Sequence, residues 1–194
     1  MTPKPTAEPE SGREVGDWID AHLAEVAREW PDLDMEVEAL VTRLSKIHRY
    51  LERILGDTAR DHGISHGEFK VLVTLKGAGK QASTPGELSD KLLVSSGAMT
   101  NRLDGLESAG LIRRDPDPAD RRGVLVSLTP EGDELIERAV YQQARKEQEA
   151  LAVLDAREKA ALDMLLRQVT GFLLERYGPP RKRPHDEPPV RPGE

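Results

Sequence analysis

Residues 84–128 read TPGELSDKLLVSSGAMTNRLDGLESAGLIRRDPDPADRRGVLVSL, and this stretch decides the fold. Thr84-Pro85-Gly86-Glu87 is a helix start, with Pro85 at the first helical position, where its missing N–H costs nothing. The short helix that follows carries Leu88 and Leu92. Ser95 or Ser96 caps a second helix, whose inner stripe is Met99, Leu103 and Leu106 and which Gly110 closes. The hydrophobic period then drops from 3.6 to 2. Leu111 to Arg114 reads as one strand and Val124 to Leu128 as another. Between them Asp115 to Gly123 is turn chemistry, with Arg121 and Arg122 side by side at its tip.

Helices flank this segment on both sides. A stripe of Val15, Trp18, Ile19, Leu23, Val26, Ala27 and Trp30 predicts a helix over 13–30, ended by Pro31. A second begins after Asp32 or Asp34 and keeps a 3.6-residue period through Val37, Leu40, Leu44, Ile47, Leu51 and Leu55 to about residue 62, with Gly63 as its stop. Ser65 and Glu68 form a capping box for a third helix carrying Phe69, Leu72, Val73 and Leu75. Beyond the hairpin, Thr129-Pro130 opens a long helix and Asp155 to Glu158 caps a last one, striped by Leu162, Leu165, Leu166, Val169 and Leu173. Residues 1–12 and 178–194 are Pro-rich, polar tails without core-forming residues.

A short helix, a turn and a second helix form a DNA-reading unit when the second helix enters the major groove and offers its first residues to base edges. With Met99, Leu103 and Leu106 inward, Ser96, Gly97, Thr100 and Asn101 face out. Thr84 and Ser95, at the two helix starts, join that surface, where free helix N–H groups suit phosphate. Asn101 matches the donor–acceptor pair of adenine. Arg121 and Arg122 at a loop tip suit a narrow minor groove. Arg102 falls on the inner edge of its helix, half-way between the two surfaces. Of Arg113 and Arg114, strand alternation lets one face the helices.

Composition excludes other classes. Cysteine is absent from the 194 residues, which removes disulfides and Cys-based zinc sites and fits a reducing cytoplasm. Apolar runs such as Val71 to Val73 and Phe172 to Leu174 fall far short of the roughly 20 residues a bilayer requires. The first twelve residues hold no apolar core of a secretory signal. His62 and His66 are separated by a helix break, so no metal site is expected. Gly77-Ala78-Gly79-Lys80 is followed by Gln81 where a phosphate loop needs Ser or Thr. Neither an enzyme nor a bound cofactor is indicated. The net charge is −7, yet residues 80–128 hold seven Lys/Arg against seven Asp/Glu, so the acidity lies elsewhere. Overall acidity favours a rival reading, a helical module that binds a protein partner and no DNA; the Thr100/Asn101 surface and the Arg121-Arg122 tip oppose it.

The segment resembles the winged helix-turn-helix regulators of the MarR type over about residues 32–176. The resemblance rests on Asp120-x-Arg122 followed by Val126, Leu128 and Thr129, and on Leu106-Glu107-Ser108-Ala109-Gly110-Leu111-Ile112. It implies a mainly α fold with a small β-hairpin wing, a homodimer paired through its terminal helices, and repression from a pseudopalindromic operator in double-stranded DNA. It also implies that Asp120 orients Arg122. The expected organisation is a disordered tail at 1–12, an extra helix at 13–30, dimerisation helices at 31–62 and 129–177, a DNA-binding domain at 63–128 and a tail at 178–194. The extra helix is similar to that of the urate-responsive branch, whose ligand-contacting Trp and two arginines match Trp18, Arg102 and Arg114. Where that branch has a ligand-site acid, this chain has Lys70, so the implied effector is a different small anion.

Overall fold

The computed structural model describes residues 18–79, 82–120 and 123–179. In chain order the elements are α1 (Trp18–Glu29), α2 (Met35–Asp61), α3 (His66–Gly77), α4 (Pro85–Leu92), α5 (Ser96–Ser108), β1 (Ile112–Pro116), β2 (Val124–Leu128), α6 (Pro130–Ala150) and α7 (Ala156–Tyr177). Among the described residues no helix is long and apolar enough to cross a membrane. The chain forms two compact units, Met1–Glu52 and Arg53–Glu194.

In the first unit Pro31 ends α1, and Asp34 restarts the chain as a helix. Its Oδ1 accepts from the N–H groups of Glu36 (3.1 Å) and Val37 (3.2 Å), two of the orphan donors at the start of α2. Asp20 of α1 pairs with Arg43 of α2. Along α2, Val37, Leu40, Val41, Leu44 and Ile47 remain exposed.

The second unit is built around α3. Ser65 accepts from Glu68 N–H while the Glu68 carboxylate accepts from Ser65 N–H at 2.7 Å, so the expected capping box is formed. Val71 and Leu72 are wholly buried, and α3 packs against α4, α5, α6 and β2. The last two turns of α2 bring Ala59 and Thr58 into the same core. At the junction of α2 with α6, Asp61 accepts from Lys146 Nζ (2.9 Å) and Gln142 Nε2 (2.8 Å), while His62 Nε2 lies 2.9 Å from Gln142 Oε1. The hydrogen bond and charge of Lys146 hold the Asp61 carboxyl below its usual range. A carboxylate depressed on folding stabilises above its unfolded pKa of ~4, and that contribution disappears as pH falls through the folded value. Asp61→Asn is therefore expected to lower stability at neutral pH and to match wild type in acid. Urea midpoints measured across that range check this.

The sheet departs from expectation in two places. β1 begins at Ile112 and extends through Asp115 and Pro116, two residues that read as turn, because Asp115 pairs with Leu125 and Pro116 with Val124 in the antiparallel register. Leu111 leaves the strand. Its carbonyl accepts instead from Thr129 N–H at 3.1 Å, at the start of α6. A third partner also joins the hairpin, since Ser83 exchanges two backbone hydrogen bonds with Val126 (3.0 and 2.8 Å). A one-residue bridge has no periodicity for a sequence to display.

Candidate nucleic-acid interface

Two capped helices set the geometry. Thr84 Oγ1 accepts from Glu87 N–H, and the Glu87 carboxylate accepts from Thr84 N–H at 2.8 Å, fixing the start of α4. Leu93 then takes a left-handed conformation (φ 53°, ψ 43°), which reverses the chain within three residues and lets Val94 N–H reach the Ser89 carbonyl at 3.1 Å. A non-glycine residue there costs about 1–2 kcal/mol. Packing of Leu92 and Val94 on the core compensates, which a sequence without a glycine in the turn does not reveal.

Ser95, not Ser96, caps α5, accepting from Ala98 N–H at 3.3 Å. Met99, Leu103 and Leu106 are buried to 1% exposure or less, so this face is fixed against the core. Ser96, Gly97, Thr100 and Asn101 consequently stand exposed, as the spacing predicts. Thr100 donates its hydroxyl hydrogen to the Ser96 carbonyl (3.0 Å), which leaves Thr100 Oγ1 an acceptor toward any base edge.

Arg102 is half-buried and lies over Gly67 of α3, where a Cβ would stand 2.5 Å from Arg102 Nε and 2.9 Å from Cζ. The Glu68 carboxylate lies reciprocally over Gly105 of α5. Two glycines thus let the recognition helix dock closely on α3. Both are present in the sequence, but hydrophobic periodicity does not single them out.

In the hairpin Arg114 faces α5 and Arg113 faces away, as alternation requires. Arg114 pairs with Asp104 at 2.8 Å and Glu107 at 3.2 Å, while Arg113 pairs with Asp115 at 3.0 Å. The wing loop is held by Asp117, whose N–H donates to Gly123 O (3.0 Å) and whose carboxylate accepts from Ala119 N–H (2.8 Å). Asp120 is exposed, and its carbonyl accepts from Gly123 N–H at 2.8 Å. Arg121 and Arg122 lie outside the described residues.

Of the ligand candidates, Lys70, Arg102 and Arg114 are not gathered into one described cavity. Trp18 opens α1, but its side chain lies outside the described residues. Lys70 lines a cavity of about 580 Å³ with Phe69, Val73, Lys91, Leu93 and Gln143, a set that contains neither Arg102 nor Arg114. Any anion reaching Arg114 competes with the two carboxylates already on it.

The MarR family model matches residues 64–124, the span from just before α3 to the start of β2. The regulator PecS of Dickeya dadantii is 33% identical over 157 residues, covering 78% of this chain and 95% of that protein. The multiple antibiotic resistance protein MarR of Salmonella typhimurium is 36% identical over 139 residues, covering 71% and 95%. Among solved structures, wild-type MarR from E. coli aligns with a TM-score of 0.61 at 34% identity, over 67% of this chain and 95% of that one. A mutant of the E. coli protein complexed with operator DNA aligns at 0.60 and 35% identity, over 71% and 98%. The wing, the docked recognition helix and these similarities agree: the chain belongs to the MarR family of winged-helix transcriptional regulators.

Proposed function

We propose that the protein is a repressor that binds a pseudopalindromic operator as a homodimer and is released by a small anion. The observation that carries the reading is the division of α5 into a fully buried apolar stripe and an exposed Ser96, Gly97, Thr100 and Asn101 surface. Such a helix is held rigidly while its hydrogen-bonding face is free for base edges. Residues 63–128 are then the DNA-binding domain, with Thr84, Ser95, Arg102 and the Asp120 to Arg122 wing tip around the helix. Residues 31–62 and 129–177 supply the dimer contacts. The protein acts on chromosomal DNA in the cytoplasm. The operator bound by the E. coli relative supports duplex DNA as the partner.

Selection of duplexes from a randomised pool by the purified protein tests the reading, with an enriched two-fold symmetric site as the expected result. On that site Asn101→Ala is expected to lose about 1–3 kcal/mol of discrimination at one base step of each half-site. Arg122→Ala is expected to weaken all sequences together and to flatten the salt slope by about 0.9 for each phosphate that Arg122 neutralises. Anisotropy titrations on single-base operator variants check both. Equal ranking of the variants by wild type and Asn101→Ala would remove Asn101 from the reading face.

For the effector, Trp18, Lys70, Arg102 and Arg114 are carried forward as separate candidates, an indole and cations of the kind that suits an aromatic or multiply charged carboxylate. Titration calorimetry with urate, small di- and tricarboxylates and aromatic acids identifies the class. Binding that survives Trp18→Ala with Arg114→Ala would place the site elsewhere.

A further inference from the structure

We propose that Arg114 is a positioning residue: by pairing with Asp104 and Glu107 together it locks the wing to the recognition helix and offsets part of the negative charge that the helix would otherwise turn toward phosphate. The inference rests on the operator-binding function proposed for this protein and adds to it a device inside the DNA-binding surface.

Three features carry it. First, α5 itself is unsuited to DNA along one stripe. Asp104 is one helical turn beyond Thr100 and Glu107 nearly one further, so two carboxylates continue the line of the base-reading residues. Asp104 and Glu107 side chains are 55% and 42% exposed, so neither charge is hidden. Second, the cation that meets them comes from a different element. Arg114 stands directly across the hairpin from the fully buried Val126, so its stem shares the core-facing side of the sheet and its guanidinium emerges under α5. Third, the contact is double and partly shielded. Arg114 reaches Asp104 at 2.8 Å and Glu107 at 3.2 Å with a side chain only 26% exposed. One planar guanidinium holding two carboxylates on successive turns fixes both the distance and the orientation of β1 relative to α5. Arg113, on the outer face, pairs among the described residues with Asp115 of its own strand and not with α5.

The test is a double-mutant cycle on the duplex that wild type selects from a random pool. Arg114→Ala, and Arg114→Met to keep the aliphatic stem, are measured in the wild-type background and in Asp104→Asn/Glu107→Gln, with thermal melts as the folding control. Removal of the Arg114 guanidinium is expected to weaken binding about tenfold in the wild-type background and less than about twofold where the carboxylates are already neutral. An equal effect in both backgrounds, with a salt slope lowered by about 0.9, would make Arg114 a direct phosphate contact and overturn the proposal. Undiminished binding by both single variants would overturn it as well. A wild-type protein that enriches no duplex would instead overturn the operator reading itself, before any variant is compared.

Discussion

Placing two charges on the bare face of α7, by Leu165→Glu with Phe172→Glu, is expected to leave monomers that bind the operator about 10²–10⁴-fold more weakly than wild type. Within the chain α7 buries no residue, although Leu165 is 54% exposed, Phe172 63% and Val169 51%. A 22-residue amphipathic helix with its apolar stripe in water is not a stable end state, because apolar area of this kind contributes about 25 cal/mol per Å² once covered. In the homodimer proposed above, a second copy would cover it with the same residues, the two-fold arrangement that most homo-oligomers adopt. Leu165 and Phe172 are seven residues apart and share one face, so two carboxylates there repel their symmetry mates. Affinity falls because each half-site must then be bound independently, without the high local concentration that the first half-site provides for the second. Sedimentation and anisotropy measure the two effects separately. A double variant that stays dimeric, or a monomer that keeps wild-type affinity, would show that α7 is not the pairing surface.

Gly132→Ala is expected to destabilise the second unit by about 3 kcal/mol or more, although in an isolated helix the same change stabilises by about 1 kcal/mol. Gly132 lies in the first turn of α6, where its N–H donates to the Thr129 hydroxyl at 3.0 Å. A Cβ on it would overlap the Leu111 carbonyl oxygen and stand 2.8 Å from the carbonyl carbon. That carbonyl already accepts from Thr129 N–H, so it has no room to rotate away. The obstacle is backbone, not the tip of a flexible side chain, and relief requires moving either α6 or the root of the wing. Urea unfolding gives the answer directly. A gain in stability would mean that α6 does not approach the Leu111 backbone this closely.

Most of the fold is legible in the sequence because it is written in local chemistry. Ser65/Glu68, Thr84/Pro85, Ser95 and Thr129/Pro130 each satisfy the orphan N–H groups of one helix, and they do so whatever surrounds them. The Met99, Leu103 and Leu106 spacing alone determines which face of α5 turns inward, and therefore which residues turn out. Val124 to Leu128 reads as a strand in the sequence and is a strand with those bounds. Strand alternation likewise foretold that Arg113 and Arg114 part company.

Tertiary structure decided what depends on an approach between distant segments. β1 takes in Asp115 and Pro116 because Leu125 and Val124 pair with them, while Leu111 is drawn off to cap the junction with Thr129. Ser83 becomes a sheet partner through two hydrogen bonds to Val126, with no pattern of its own. Leu93 adopts a left-handed conformation that only the packing of α4 on α5 can hold. The partners of Arg114 were equally invisible, since Asp104 and Glu107 belong to another element and reach it only when the hairpin folds beneath α5. Periodicity and caps are properties of a chain with itself, so the sequence determines them. Register, close backbone approach and ion pairs between elements are properties of two segments at once, and only the packed structure selects among the partners a sequence offers.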